Sequence, residues 1–254
     1  MTMSKPTLGV FGLTGCAGCQ LAILNCENEL LDLIELVDVR DFVMASSEQD
    51  AECKLDLALV EGAVVTARDE QVLRRIRERA DRLVGLGTCA VWGGVAGMRP
   101  HADRRELLLA VYGQMGRAYD ASCARPLKDF VQVDASITGC PIEKSEFLAA
   151  IANLLRGLSP QVSAYPVCAE CRMRENRCLL INDGLACFGS LTQAGCGARC
   201  PSLGVACIGC RGPAPDANYP SALALFVSKG YARDELLTRL GTFAPAPALA
   251  EEAV

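Results

Sequence analysis

Cysteine is the residue type in this sequence with the clearest potential for chemistry. The chain carries 15 cysteines among 254 residues. The first two of them, Cys16 and Cys19, form a C-x-x-C motif between an apolar segment and a predicted helix. Such a pair can be a redox-active dithiol or half of a metal site. A hydrophobic content of 51% supports a core without disulfides. In a reducing compartment, cysteines that are not needed for disulfides more often bind metal.

Strands and helices alternate along the first 157 residues, and they must position these thiols. The pattern predicts strands at 7–13, 37–43 and 54–62, helices at 19–34, 69–82, 104–114 and 143–157, and an apolar run at 83–91. Short glycine-rich turns join these elements. This order is typical of an α/β fold, in which helices cover both faces of a mostly parallel sheet.

Four cysteines lie next to the carboxyl ends of predicted strands, and we name them the first group: Cys16, Cys19, Cys89 and Cys140. Because these ends share one edge of a parallel sheet, three loops can bring the four thiols together. Four thiolates on glycine-flanked turns match the ligand set of a cubane iron–sulfur cluster, which accepts hydrogen bonds from nearby backbone N–H groups. Glu61 ends a strand at the same edge. It could bind loop amides or lie beside a cluster and a partner.

Two other interpretations of the first group stay open. A thioredoxin-like dithiol also lies between strand and helix, but it gives no role to Cys89 and Cys140. A structural zinc ion suits four sulfur ligands as well as iron does. Three other cysteines lie within or beside apolar segments, and we interpret them as buried thiols without a ligand: Cys26, Cys53 and Cys123.

Eight further cysteines fall within the 44 residues from 167 to 210. In chain order they divide into a second group, Cys168, Cys171, Cys178 and Cys187, and a third group, Cys196, Cys200, Cys207 and Cys210. Zinc ribbons remain possible, although ribbons usually separate two C-x-x-C pairs by one long loop, and here single cysteines intervene. Three groups of four favour a chain that conducts electrons between several clusters.

The composition and the apolar pattern of the sequence predict three segments. Residues 1–160 form the α/β domain, 161–213 a small cysteine-rich domain, and 214–254 a C-terminal helix at 221–241 with a loose tail. A core as thin as that of the cysteine-rich segment needs cross-links or clusters to fold.

Charge and hydropathy exclude several functions. The net charge of −5 and a pI near 5.1 give no basic surface for nucleic acid. The sequence has neither a signal peptide nor an apolar run long enough to span a membrane, so we expect a cytoplasmic protein. The single histidine, His101, is interpreted as an ordinary loop residue.

Taken together, the motifs resemble those of a known family. The segments "GLTGCAGCQ", "LVEGAV", "GLGTCAVWGGV", "ITGCPI" and "CLLINDGLACFGSLTQAGCGARCPSLGVACIGCRGP" are similar to the small, electron-transferring subunits of cytoplasmic nickel–iron hydrogenases, of the methyl-viologen-reducing and sulfhydrogenase delta types. The resemblance covers nearly the whole chain. It implies a flavodoxin-like domain with a proximal [4Fe–4S] cluster and a small C-terminal iron–sulfur domain with medial and distal clusters.

The resemblance also implies a role for each group of cysteines. The first group would bind the proximal cluster, the second group the distal one and the third group the medial one. Periplasmic relatives have a histidine at the first distal ligand and three medial cysteines. This chain has Cys168 and a fourth medial cysteine, so three cubane clusters are expected. Those relatives carry an acidic residue after the C-x-x-C where this chain has Gln20, which leaves the role of that position open.

We therefore expect an oxidoreductase subunit without a nickel site of its own. It would conduct electrons between the nickel–iron site of a hydrogenase large subunit and a flavin or iron–sulfur subunit of the diaphorase or heterodisulfide-reductase type. One alternative is a quinone-linked subunit of the complex I type, whose single cluster would leave the second and third groups unexplained. The other is a zinc-stabilised scaffold without enzymatic activity.

Overall fold

A five-stranded parallel sheet forms the centre of the N-terminal half in the computed structural model, which describes residues 5–98 and 103–245. Its strands are β1 Thr7–Gly12, β2 Asp38–Phe42, β3 Leu55–Glu61, β4 Ala80–Leu86 and β5 Ala135–Ile137. Neighbouring strands pair in the order β2-β1-β3-β4-β5, and each pair is parallel. This order is that of flavodoxin-like sheets, which confirms the predicted α/β class.

Helices connect these strands, and short helices separated by loops follow in the C-terminal half. In the first half they are α1 Gly18–Leu24, α2 Asn28–Leu36, α3 Ala67–Arg79, α4 Gly87–Trp92, α5 Arg104–Tyr112 and α6 Lys144–Leu155. In the second half they are α7 Val167–Met173, α8 Leu179–Asp183, α9 Arg199–Ser202, α10 Tyr219–Ser228 and α11 Arg233–Leu240. Single 3-10 turns lie at Val95–Gly97, Gly113–Ala118, Leu127–Asp129 and Phe188–Ser190.

A separate apolar core lies on each face of the sheet. On one face, Ile23, Phe147 and Ile151 of the covering helices pack against strand residues that include Leu59. On the other face, Leu73 and Ile76 of α3 pack with residues such as Ala90, Leu127 and Val60. The two cores fix the sheet, and the loops at its carboxyl edge are held with it.

The helix predicted at 19–34 is wrong as a single element. The chain forms α1 and α2 instead, and Glu27 between them adopts a left-handed φ of 47°. The break lets Cys26 enter the core, where it is 0% exposed. Burial of this side chain and of Leu33 decides the local geometry, although the sequence has a continuous helical pattern.

The helix predicted at 69–82 is displaced toward the N-terminus. Thr66 caps α3 by accepting a hydrogen bond from the Asp69 N–H, and the Asp69 side chain accepts from the Thr66 N–H. The helix ends at Arg79 because Ala80 already pairs with Leu55 in the sheet. The apolar run predicted from residue 83 is the second half of β4 followed by α4.

The C-terminal helix predicted at 221–241 is also two helices. α10 ends at Ser228, Gly230 follows with a φ of 93°, and α11 begins at Arg233. Leu223, Phe226 and Leu236 of these helices pack with Phe188 and Leu191. The cysteine-rich region thus has an apolar core that includes helices outside its predicted bounds.

Two sequence predictions are left as they were: one stays a prediction, and one concerns a residue outside the described ranges. The division of the chain at residues 160 and 213 stays a prediction. His101 lies outside the described residues. Across 5–98 and 103–245, no helix combines the length and apolar character needed to cross a bilayer.

Candidate iron–sulfur sites

The first group of cysteines gathers at the carboxyl edge of the sheet, as predicted for parallel strands. Cys16 lies in the loop after β1, Cys19 in α1, Cys89 in α4 and Cys140 in the loop after β5. Burial raises the pKa of Cys140, and negative charge on Cys89 and Cys16 raises it further. Burial, the Glu61 carboxylate and the charges of Cys89 and Cys140 raise the pKa of Cys19 in the same way. The four sulfur atoms are therefore electrostatic neighbours.

Glu61 holds the C-x-x-C segment in place. This carboxylate ends β3 and is only 3% exposed. It accepts hydrogen bonds from the N–H of Cys19 at 3.1 Å, from the N–H of Gln20 at 3.1 Å and from Nε2 of Gln20 at 3.0 Å. Glu61 thus binds loop amides, one of the two roles predicted for it, and Gln20 is part of the same buried hydrogen-bonded unit.

Glycines let the backbone approach the sulfur atoms closely. A Cβ atom at Gly87 would collide with the Cys19 Sγ, and one at Gly94 would lie 2.5 Å from the Cys89 Sγ. Both glycines have a positive φ, 78° and 61°. The space beside these sulfur atoms therefore depends on the absence of a side chain, and nearby N–H groups are available to an anionic ligand.

The second group gathers around α7 and α8. Burial raises the pKa of Cys168 to about 11, and the charges of Cys187, Cys171 and Cys178 contribute to that shift. A Cβ at Gly189 would contact the Cys168 Sγ at 3.4 Å and the Cys187 Sγ at 3.7 Å. Cys178 is exposed, so this group reaches the protein surface.

The third group lines a cavity of about 110 Å³, to which all four of its cysteines contribute. Burial raises the pKa of Cys210 to about 11, with further contributions from the charges of Cys196, Cys200 and Cys140. Burial likewise raises the pKa of Cys207 to about 12. A cavity walled by four thiols has the donor set that a [4Fe–4S] cluster requires.

The third group lies between the other two, although it comes last in the sequence. Cys140 of the first group lines the cavity of the third group and is an electrostatic neighbour of Cys210. On the other side, the N–H of Cys207 donates to the Sγ of Cys187, in the second group, at 3.2 Å. The twelve predicted ligands therefore form a row of three groups.

Two polar side chains that the sequence did not single out hold these loops together. The Thr88 hydroxyl donates to the Cys210 carbonyl at 2.5 Å and accepts from the Gly139 N–H at 3.2 Å. Glu170 accepts from the N–H groups of Gly195 at 2.8 Å and Ala198 at 3.1 Å, on either side of Cys196. The partners are far apart in the chain, so no local motif signals them. The only local signal is that each of these two residues directly precedes a predicted ligand in the sequence.

The remaining cysteines and Trp92 are placed as follows. Cys26 is fully buried, as predicted. Cys53 is half-buried and Cys123 is exposed, so the prediction that both are buried thiols is wrong. Trp92 packs against Gly212 of the C-terminal half, where a Cβ would collide with the indole Nε1.

The donor chemistry of the cysteine groups suits iron–sulfur clusters. Within 5–98 and 103–245, no three His, Cys, Asp or Glu side chains converge closely enough to hold a single metal ion. A cubane cluster makes a different demand, because each of its four irons takes one thiolate. The four-thiol sets, the glycines beside the sulfur atoms and the cavity of the third group meet that demand.

Comparison with known proteins identifies the family. Residues 16–154 match the family "NADH ubiquinone oxidoreductase, 20 Kd subunit". The chain is 40% identical to sulfhydrogenase 2 subunit delta of Pyrococcus furiosus over 93% of its length and 98% of that protein. The chain belongs to the hydrogenase small-subunit branch of this family. The family model begins at Cys16, after β1, and ends within α6, whereas the sulfhydrogenase match covers 93% of the chain.

Two more relatives support the same placement of this hydrogenase small subunit. It is 32% identical to a subunit of the F420-non-reducing hydrogenase of Methanocaldococcus jannaschii, over 81% of each chain. A chain of the crystal structure of an NAD+-reducing [NiFe]-hydrogenase in the H2-reduced state superposes with a TM-score of 0.54 at 27% identity, over 62% of this chain and 94% of that one. The predicted resemblance is confirmed, and the small subunit is part of an oxidoreductase complex.

Proposed function

We propose that this small subunit conducts electrons between the nickel–iron site of a partner large subunit and a redox partner subunit. Three [4Fe–4S] clusters, when bound, would supply one-electron transfer. The first group would hold the proximal cluster, the third group the medial one and the second group the distal one. The observation that carries the proposal is the row of three four-cysteine groups, with the third group between the other two.

At each end of this row, exposed cysteines lie where a partner subunit can bind. Cys16 and Cys140 are exposed at the edge of the sheet, where a large subunit can cover them. Glu61 fixes the backbone of Cys19 there. At the other end, exposed Cys178 lies where a second subunit can approach. We propose a flavin or iron–sulfur subunit of the diaphorase or heterodisulfide-reductase type for that position, in a cytoplasmic complex.

Metal analysis of the anaerobically purified complex tests the proposal. Three [4Fe–4S] clusters require about twelve irons and as many acid-labile sulfides per small subunit, in addition to the iron and sulfide of the partner subunits. A content of about three zinc ions and no sulfide would refute it in favour of a scaffold. The Cys19→Ala variant should lose about four irons per small subunit and all H2-driven dye reduction, while the nickel of the large subunit remains. Normal dye reduction in that variant would contradict the assignment of the first group.

Two further measurements separate the proposed domains and partners. A chain that ends at Ala164 should keep a folded sheet domain and about a third of the iron. Retention of all the iron would refute the division into groups. Fractionation of native cells should recover H2-dependent reduction of a viologen dye or of nicotinamide without membranes. Activity that sediments with membranes and requires quinone would favour the complex I type instead.

A further inference from the structure

Arg211 is a buried cation at the junction between the first and third groups. It directly follows Cys210 in the sequence, and it is only 1% exposed. Burial of a guanidinium is costly unless its donors find acceptors and its charge finds a partner. The surroundings of Arg211 satisfy both conditions.

The guanidinium binds segments from both halves of the chain. Its Nε donates to the carbonyls of Gln193 at 3.2 Å and Ala194 at 3.1 Å, and its Nη1 donates to the carbonyl of Thr138 at 2.9 Å. Its Nη2 lies 2.6 Å from Oε1 of Glu146 on α6. These acceptors approach the planar fork from different directions, and the single ammonium group of lysine cannot reproduce that arrangement.

Each bound carbonyl lies close to a predicted ligand. Thr138 is two residues before Cys140, and Ala194 is two residues before Cys196. Arg211 therefore fixes loops of the first and third groups relative to each other. Arg211 also lines the cavity that the four thiols of the third group surround.

We propose that Arg211 is a positioning residue for the third group and that its charge, opposed by Glu146, sets the reduction potential of the cluster bound there. The inference rests on the proposed function, since it requires a cluster in the third group. Reduction adds one negative charge to a cluster, so a nearby buried cation raises the potential and a nearby carboxylate lowers it.

The test compares three variants of the complete, anaerobically purified complex: Arg211→Gln, Arg211→Lys and Glu146→Gln. Reductive titrations followed by electron paramagnetic resonance, all at one pH, give the midpoint potential of each cluster. The signal lost in a Cys200→Ala variant identifies the third group. Arg74→Gln is the matched control, because Arg74 forms an exposed pair with Glu70 at 2.7 Å on α3.

The expected shifts have opposite signs. Arg211→Gln should lower the midpoint potential of the third-group cluster, and Glu146→Gln should raise it. Because Arg211→Lys keeps the positive charge, its midpoint potential should lie closer to that of wild type than to that of Arg211→Gln. The second-group signal and the Arg74→Gln complex should be unchanged. Loosening of the junction alone would move both variants in the same direction, so shifts of equal sign, or none, would overturn the inference.

The outcome stays decisive if one variant fails to assemble. When Arg211→Gln loses the third-group signal, Glu146→Gln still tests the sign of the charge effect, and an unshifted potential in Glu146→Gln would refute the role of the charge. The iron and sulfide content of the wild-type complex tests the proposed function before any variant is made. The two failures are therefore distinguishable.

Discussion

Replacement of Glu61 by glutamine is a sharp test of how the C-x-x-C segment is held. Oε1 of Glu61 accepts from the N–H of Cys19, and Oε2 accepts from the N–H and the side chain of Gln20. A glutamine at position 61 keeps one acceptor oxygen but turns an amide donor toward another donor. Hydrogen bonds to a charged group contribute about 1.5–3 kcal/mol, and a buried unpaired donor costs about 1–3 kcal/mol. We expect E61Q to lower the free energy of unfolding by about 3 kcal/mol.

Urea unfolding of the chain under reducing conditions, followed by far-ultraviolet circular dichroism, measures this difference. Glu70→Gln is the control, because it removes the same charge from an exposed side chain whose pairing with Arg74 contributes less than about 1 kcal/mol. A loss in E61Q no larger than that in E70Q would refute the reasoning. It would mean that water or a shifted backbone satisfies the Cys19 and Gln20 amides without the carboxylate.

Three further predictions concern acid stability and the thiols. Asp134 is partly buried, which opposes ionisation, but hydrogen bonds from the Leu83 N–H and from Arg77 lower its pKa below the unfolded value. The stabilising effect of Asp134 is therefore present above its unfolded pKa and is lost as pH falls through its folded pKa. Urea midpoints measured from neutral to acidic pH should fall less in Asp134→Asn than in wild type. An equal fall in the two proteins would contradict this prediction. Cys168→Ala should lose about a third of the iron by elemental analysis, whereas the exposed Cys123→Ala should lose none; equal losses would exclude the second group as a site. Burial raises the pKa values of Cys168, Cys207 and Cys210 to about 11, 12 and 11, so these thiols must release protons when iron and sulfide are loaded. Loading, followed by absorbance, should therefore be faster at alkaline than at neutral pH. A loading rate independent of pH would count against thiolate ligation.

The sheet and the first group could be predicted because their signals are local. The strand Leu55–Glu61 is an almost continuous apolar run, which is typical of a strand buried on both faces. Once such strands are parallel, their carboxyl ends share one edge. Cys16, Cys19, Cys89 and Cys140 could therefore be assigned to one place without knowledge of any contact.

The helix breaks were missed because a propensity pattern does not include tertiary burial. The segment around Glu27 has the apolar spacing of one helix, yet the chain turns there so that Cys26 enters the core. The apolar core beneath the cysteine-rich region was missed for a similar reason. Phe188 packs with Phe226 at a ring-centroid distance of 5.5 Å, and nothing in either segment alone indicates the other.

The contacts of the polar residues that join the cysteine groups could not be predicted. Arg211 binds Thr138 and Glu146, which are 73 and 65 residues away in the sequence. Glu170 binds backbone groups 25 and 28 residues away. Such contacts depend on how two halves of the chain fit together, whereas cysteine spacing is visible in the sequence itself.

The position of the third group in the row has a consequence for biosynthesis. Every thiol of the first and second groups leaves the ribosome before Cys196, and the third group is complete only when Cys207 and Cys210 have been made. A nascent chain arrested before residue 207 therefore contains every cysteine of the first and second groups but only two of the four in the third group, Cys196 and Cys200. Cys210 contacts Thr88 and Arg211 contacts Thr138. These contacts between the third and first groups can therefore form only after residues 210 and 211 have been made. A truncated product thus lacks the segment that contacts both the first and the second group.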